Sequence, residues 1–207
     1  MKRVVSLSVA VAFVCFGANA QFGSKTESGH ALGPANAPVT LDEYADFECP
    51  SCAKLSEPLN QLAKEFGPRL RVVFHHCPFD AHKHALQASY AAEAAGLQGK
   101  FWEMHDTLYR DQDVWSNSSS DPLSLFSVYA MYISLNVQRF KIDMESDEVK
   151  ARVAVDIRKG ISLDILSTPS VFINNRQIDS KRLNLDDLRQ EIETALKSAK
   201  PSSEPNG

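Results

Sequence analysis

Cysteine is scarce in this chain. Four occur in 207 residues, at positions 15, 49, 52 and 77. A small secreted scaffold held by disulfides would carry more of them, in even number. One CxxC is present, Cys49-Pro50-Ser51-Cys52, and no second CxxC accompanies it. A structural zinc site needs two further ligands, usually a second such pair or a spaced His pair. Long hydrophobic runs are also missing. The apolar stretch Val4–Phe16 is 13 residues, well short of the roughly 20 that span a bilayer. Positive charge is in deficit, with 22 Lys and Arg against 26 Asp and Glu, which argues against nucleic acid or an anionic membrane as partner. No internal repeat is visible.

What is there begins with an address. Met1-Lys2-Arg3 is basic, Val4–Phe16 is apolar, and Gly17 with Ala18-Asn19-Ala20 supplies a small-residue cleavage site. Residues 1–20 therefore read as a secretory signal peptide. Its removal takes away Lys2, Arg3 and no acid, leaving a net charge of −6, and takes Cys15 with it. The remaining 187 residues suit one domain, or one domain with a large insertion. No membrane span is expected after cleavage. The expected location is periplasmic or extracellular, an oxidising compartment in which a surviving thiol pair is oxidised or shuttling.

Periodicity divides the rest. Residues 21–38 mix Gly, Ser, Pro and polar residues without period and read as a flexible leader. Val39–Asp46 reads as a strand, Cys52–Phe66 as a helix with a kink at Pro58, and Leu70–His75 as a second strand. Strand, helix, strand implies a parallel pair. Helical segments follow, with a small-residue stripe at Ala85, Ala88, Ala91, Ala92 and Ala95 and a polar break over Ser116–Pro122. The period then returns to that of a strand at Ser170–Ile173. Asn174-Asn175 suits a tight hairpin turn, Gln177–Asp179 is its short partner, and a last helix starts at the N-cap candidate Asn184. Residues 201–207 read as a disordered tail.

The CxxC lies where the first strand hands over to its helix. There Cys49 sits at a helix N-terminus, where unpaired N–H groups and the dipole favour an anion. Its thiol pKa should fall. Cys52, one turn on, is close enough to close a disulfide. The competing readings are half a zinc site and a structural disulfide. Cys77 ends the second strand at the same edge of a parallel pair, so it is either a third redox thiol or a buried apolar Cys. His75, His76, His82 and His84 resemble a metal cluster, but neighbours on a strand point to opposite faces and i,i+2 positions on a helix diverge. No metal and no cofactor is expected. Glu48 reads as a solvated acid beside the site. Phe101, Trp102 and Met104 read as packing.

The order of strand, CxxC helix, strand, helical block, Thr-Pro hairpin and helix resembles the thioredoxin superfamily, in particular its exported DsbA-like branch. The resemblance rests on Phe47-Glu48-Cys49-Pro50-Ser51-Cys52, on Ser167-Thr168-Pro169-Ser170-Val171-Phe172-Ile173-Asn174, and on Gln98-Gly99-Lys100-Phe101-Trp102-Glu103-Met104-His105. It implies an α/β thioredoxin-like fold with an inserted helical domain: residues 39–79 and 164–200 form the thioredoxin-like domain and 80–163 the insertion. It implies a cis Pro169 against the active-site disulfide, with the backbone of Thr168 available to pair with a bound peptide. It also implies that Glu43, six residues before Cys49, is a buried acid relaying a proton for the inner thiol. An unpaired buried carboxylate has a raised pKa, which suits that exchange.

The activity so implied is thiol–disulfide exchange with substrate proteins through Cys49 and Cys52, supported by Pro50, Ser51, Glu43, Thr168 and Pro169. A redox partner would reset the dithiol. Oxidase-like action is favoured over isomerisation or reduction, because an isomerase of this kind carries a dimerisation module. A binding or chaperone module with a structural disulfide is the alternative from another class. The family's strong oxidants carry a His between the cysteines, and Ser51 offers only a hydroxyl. The expected couple is therefore less oxidising than the roughly −120 mV of such an oxidant. Equilibration with a glutathione buffer checks this, and a potential at that value contradicts it.

Overall fold

The computed structural model describes residues 29–119 and 121–199. The expected signal peptide (1–20), the leader through residue 28 and the tail 201–207 lie outside the described residues. The chain runs β1 (His30–Leu32), β2 (Val39–Ala45), α1 (Pro50–Phe66), β3 (Leu70–His76), α2 (Ala85–Gly96), α3 (Phe101–Arg110), α4 (Gln112–Ser116), α5 (Leu123–Tyr132), α6 (Val137–Glu145), α7 (Asp147–Ser162), β4 (Ser170–Ile173), β5 (Arg176–Gln177) and α8 (Leu185–Ser198). The strands form one five-stranded sheet in the order β1-β3-β2-β4-β5. Among the described residues, no helix is long and apolar enough to cross a membrane.

This topology decides what meets at one edge of the sheet. β2 and β3 are parallel, and Ala45 lies opposite His76 at their common end. β4 runs antiparallel to β2, so its first residue, Ser170, lies opposite Tyr44 at that same end. Three connections therefore leave one edge together: residues 46–49 ahead of α1, residues 77–84 after β3, and Thr168-Pro169 ahead of β4. They are separate in sequence and adjacent in space because one strand of the three is reversed.

Two apolar clusters hold this arrangement. One joins the sheet to α1 and α8 through Leu41, Leu55, Leu62, Val171, Ile173, Leu188 and Ile192. The other carries Phe47, Cys49 and Cys52 together with Phe74, Met104, Leu108, Trp115 and Phe126. The cysteines thus belong to the cluster that the helices between β3 and β4 build. Each fully buried Leu or Phe contributes about 1.5–3 kcal/mol. Ala88, Ala91, Ala92 and Ala95 are completely buried. Their small side chains let α2 pack on α3, α6 and α7 at once.

Several local signals act as read. Gly67, at φ +53°, terminates α1. Asn174 and Asn175 take φ +46° and +65° in the β4–β5 turn, the left-handed pair that a two-residue hairpin requires. The Asn184 side chain accepts from the Asp187 N–H at 3.1 Å and caps α8. α1 runs on through Pro58 without a break. The short helix α4 has no counterpart in the sequence reading.

One expectation is corrected. The leader, read as flexible through Pro38, already carries structure from His30. β1 adds antiparallel to the outer side of β3, with His30 opposite Phe74 and Leu32 opposite Val72. Three residues between two glycines are too few to show a period, but the open edge of β3 supplies the hydrogen-bonding partners that they lack alone. Gly33 turns the chain out of β1 at φ +92°, and a Cβ there would lie 2.2 Å from the carbonyl oxygen of Leu70. Gly33→Ala is expected to cost about 1–3 kcal/mol, read as a lower urea midpoint. An unchanged midpoint would show that β1 is not docked.

Candidate active site

Asp46 to Cys49 turn the chain from β2 into α1, and a set of hydrogen bonds fixes that turn. The Cys49 N–H donates to the Asp46 carbonyl at 3.1 Å, and the Cys49 carbonyl accepts from the N–H groups of Cys52 and Ala53 at 3.1 and 3.2 Å. Cys49 occupies the N-cap and Pro50 the first helical position, where its missing N–H costs nothing. The pair is reduced, with both thiols free. Cys49 is 8% exposed and Cys52 is sealed.

The two sulfurs have opposite acidities. The Cys49 pKa falls from 9.0 to about 5, chiefly through the hydrogen bond from the Cys52 thiol, with further help from the Thr168 side chain and the N–H groups of Cys52 and Ser51, against burial. The Cys52 thiol is pushed well above its ordinary value, first by burial and then by the hydrogen bond it gives to Cys49 and the charge of Glu43. A donor retained by one sulfur and accepted by its neighbour separates their titrations. At neutral pH the pair is one thiolate over one thiol.

The other expected residues fall around this pair unequally. The Thr168–Pro169 peptide bond is cis, and the Cys49 sulfur lies 3.4 Å from the Thr168 carbonyl oxygen. Glu43 is 2% exposed, in the middle strand of the sheet between Phe74 and Val171. Its Oε1 has no hydrogen-bond partner, and its pKa rises from 4.5 to about 8, first through burial and then through Cys49. A hollow of about 460 Å³ beside Pro169 is lined by Ser167, Pro169, Ser170, Gln177, Asp179 and Ser180. Cys77 is half-buried, and its thiol is pushed up to about 11 by burial, Asp46 and Asp156. That leaves it a poor nucleophile at neutral pH. Its sulfur faces Gly160 of α7 in a separate pocket with Phe79, Ile157, Ile161 and Ile165.

The histidines serve different carboxylates. His75 lies between Asp42 at 2.8 Å and Asp156 at 3.2 Å. His76 meets Glu93 at 3.0 Å, and His82 meets Asp46 at 2.8 Å. His84 holds the Ser118 carbonyl at 2.9 Å. Glu48, expected in solvent, instead accepts the His84 N–H at 2.6 Å, ahead of α2, where a negative charge is favoured. Met104 and Phe101 are core, as expected of packing residues.

Three residues of the site were not anticipated. Asp46 is fully buried; one carboxylate oxygen accepts from the Glu48 N–H at 2.7 Å and the other from the Phe79 N–H and the His82 ring, both at 2.8 Å. Gln112 of α4 donates to the carbonyls of Phe47 at 2.6 Å and Cys49 at 3.1 Å. The Tyr109 hydroxyl reaches the Asp46 carbonyl at 3.5 Å. An acidic residue at the end of the first strand was the only signal available for Asp46. Gln112 gave none, because a lone polar residue in a short polar stretch resembles surface.

Comparison with known proteins places this geometry. The thioredoxin family model matches residues 25–194. Among curated relatives, a Na(+)/H(+) antiporter NhaA 1 of Mycolicibacterium gilvum is 35% identical over 156 residues, 73% of this chain and 24% of the antiporter. The NhaA 1 of Salinispora arenicola is 38% identical over 149 residues, 72% of this chain and 22% of the antiporter. The chain thus spans about a quarter of the length of these relatives. Among solved structures, oxidised BdbD from Bacillus subtilis superposes with a TM-score of 0.72 at 24% identity, covering 82% of this chain and 93% of BdbD. Wolbachia pipientis alpha-DsbA1 gives 0.71 at 19%, covering 84% and 93%. MdbA of Corynebacterium diphtheriae, a thiol-disulfide oxidoreductase, gives 0.66 at 20%, covering 82% and 90%.

Glu43 yields a stability test. Its folded pKa lies near 8 against 4.5, so between these values the folded chain binds a proton that the unfolded chain has released. Stability due to this site is intact below pH 4.5 and is lost as pH rises toward 8. The advantage of Glu43→Gln over the parent should therefore grow by ~4 kcal/mol between pH 4 and pH 8, measured by urea unfolding at both. A difference independent of pH would mean that Glu43 titrates normally.

Proposed function

The chain belongs to the thioredoxin family, and from that premise we propose that it is a thiol–disulfide oxidoreductase acting on client proteins, most often as their oxidant. The observation that carries this reading is the division of acidity between Cys49 and Cys52. A disulfide between them would release Cys49 as a stable thiolate, so reduction of the pair, and oxidation of a client, is favoured.

The exchange runs as two displacements. A client thiolate attacks the Cys49 sulfur, the Cys49–Cys52 bond breaks, and Cys52 leaves with the electron pair. Cys52, the more basic sulfur, takes a proton, and Glu43 is the donor in this reading: its carboxyl is protonated up to about pH 8, and its charge acts on the Cys52 thiol. A second client thiolate then attacks the client sulfur of the mixed disulfide, and Cys49 departs as a thiolate. The client has lost two electrons and the pair has gained them. A redox partner of stronger oxidising power then restores the disulfide.

Clients enter beside the cis bond. The backbone of Thr168 is available to pair with an extended client segment as an added strand, and the hollow lined by Ser167, Ser170, Gln177 and Asp179 takes its side chains. Pro50 starts α1 without a wasted N–H, and Ser51 presents its N–H to the Cys49 sulfur. In this reading residues 39–79 and 164–200, joined by β1, are the thioredoxin-like domain and 80–163 the helical insertion, and the chain is exported by residues 1–20. Cys77, turned into its own pocket, takes no part in the exchange.

Insulin reduction by dithiothreitol tests the assignment. The parent is expected to accelerate it and Cys49→Ser to lose the acceleration entirely. Cys52→Ala is expected to accumulate a mixed disulfide with a reduced client peptide after its oxidation by an aromatic disulfide, seen by mass. Acceleration by Cys49→Ser equal to the parent would contradict the role of Cys49.

A further inference from the structure

The sequence places no histidine between the two cysteines, yet the structure brings one to the site from another loop. Residues 77–84 leave the same sheet edge as the Cys49 turn, and His82 sits on that loop with its own N–H bound to the Phe79 carbonyl at 2.9 Å. The His82 Nδ1 meets the Asp46 carboxylate at 2.8 Å. Asp46 touches the dithiol on both sides: its backbone N–H donates to the Cys52 sulfur, and its carbonyl accepts the Cys49 N–H. A fully buried carboxylate three residues ahead of a thiolate opposes that thiolate unless a cation balances it.

The groups around His82 leave it in that role. From the Cys49 turn it faces Asp46, Glu48 and the Cys49 sulfur, and all three raise its pKa, although burial opposes them. Glu48 is held on the His84 N–H. On its own loop Asp80 is exposed, the Lys83 ammonium is drawn away to the Ser119 carbonyl at 2.9 Å, and the His84 ring is turned to Ser118 and Gln87. Behind Asp46, Tyr109 of α3 presents a hydroxyl, which stays protonated through burial.

We propose that His82 is a positioning residue of the redox couple: held on Asp46, its imidazolium balances that buried carboxylate, favours the Cys49 thiolate, and makes reduction of the disulfide take up a proton at His82. The inference rests on the oxidoreductase reading and adds to it a proton that the two sulfurs do not account for. When a client dithiol delivers two electrons to the Cys49–Cys52 bond, one proton goes to Cys52. The charge left on Cys49 tightens the hold of His82 on a second. Linkage is reciprocal, so the ion that raises the affinity of His82 for its proton is stabilised by that proton to the same degree. The consequence is a couple that oxidises clients more strongly at lower pH than its thiols alone dictate.

The direct test is the titration of the His82 ring by NMR in the wild-type protein, oxidised and reduced. The midpoint is expected to be higher in the reduced form. Equal midpoints in the two states would overturn the proposal. The second arm is the pH profile of the dithiol/disulfide equilibrium constant against a glutathione buffer. Between the two His82 midpoints the parent should show about one extra tenfold change per pH unit. That bend should vanish in His82→Gln, which keeps a side-chain donor for Asp46; an identical bend in the variant also overturns the proposal. Neither arm uses client turnover, so a chain inactive in the insulin assay would reject the oxidoreductase reading and leave the His82 linkage to be judged on these titrations.

Discussion

The hydrogen bond from the Cys52 thiol to the Cys49 sulfur sets the terms for the rest of the site. It works because burial treats the two atoms differently. Cys52 is closed off from solvent and cannot carry charge cheaply, so it keeps its proton and offers it. Cys49 stands at the mouth of α1, where backbone N–H groups point outward. Reversing this asymmetry would require either opening the core to Cys52 or closing it over Cys49. The sheet topology prevents both, because the turn that carries Cys49 must leave the edge where Thr168-Pro169 also stands.

The helices between β3 and β4 take part in this directly. They supply the apolar cluster that encloses Cys52, and Gln112 fixes two carbonyls of the Cys49 turn. Removing that amide takes the Gln112 donor from the buried Phe47 carbonyl, a cost of about 1–3 kcal/mol, whereas the Cys49 carbonyl keeps the N–H groups of Cys52 and Ala53. The Asp46 carboxylate ties the same turn to the loop after β3, accepting from the N–H groups of Glu48 and Phe79 and from the His82 ring. The turn is thus held between the Gln112 side chain of α4 and its own Asp46 carboxylate.

Much of the fold was legible because it is written in local signals. Alternating and continuous apolar runs marked β2 and β3, Gly67 marked the end of α1, and Asn174-Asn175 marked the hairpin. The Thr-Pro pair could be placed beside the CxxC only through the resemblance to the thioredoxin superfamily. What was not legible depends on tertiary partners. β1 is three residues whose strand pairing is supplied by β3. Glu48 looked solvated because nothing near it in sequence shows that the His84 N–H will be above it. Gln112 and His82 are ordinary polar residues until the fold brings them to a carbonyl and a carboxylate more than thirty residues earlier.

The central claim is that one sulfur of the pair is a thiolate at neutral pH and the other a thiol. Thiolate absorbance at 240 nm, followed as the reduced protein is titrated, reads this without reference to any client. One thiolate should appear with a midpoint near 5, assigned to Cys49 by its loss in Cys49→Ser, and Cys52 should remain protonated well above pH 9. A single transition near 9 for both sulfurs would contradict the account.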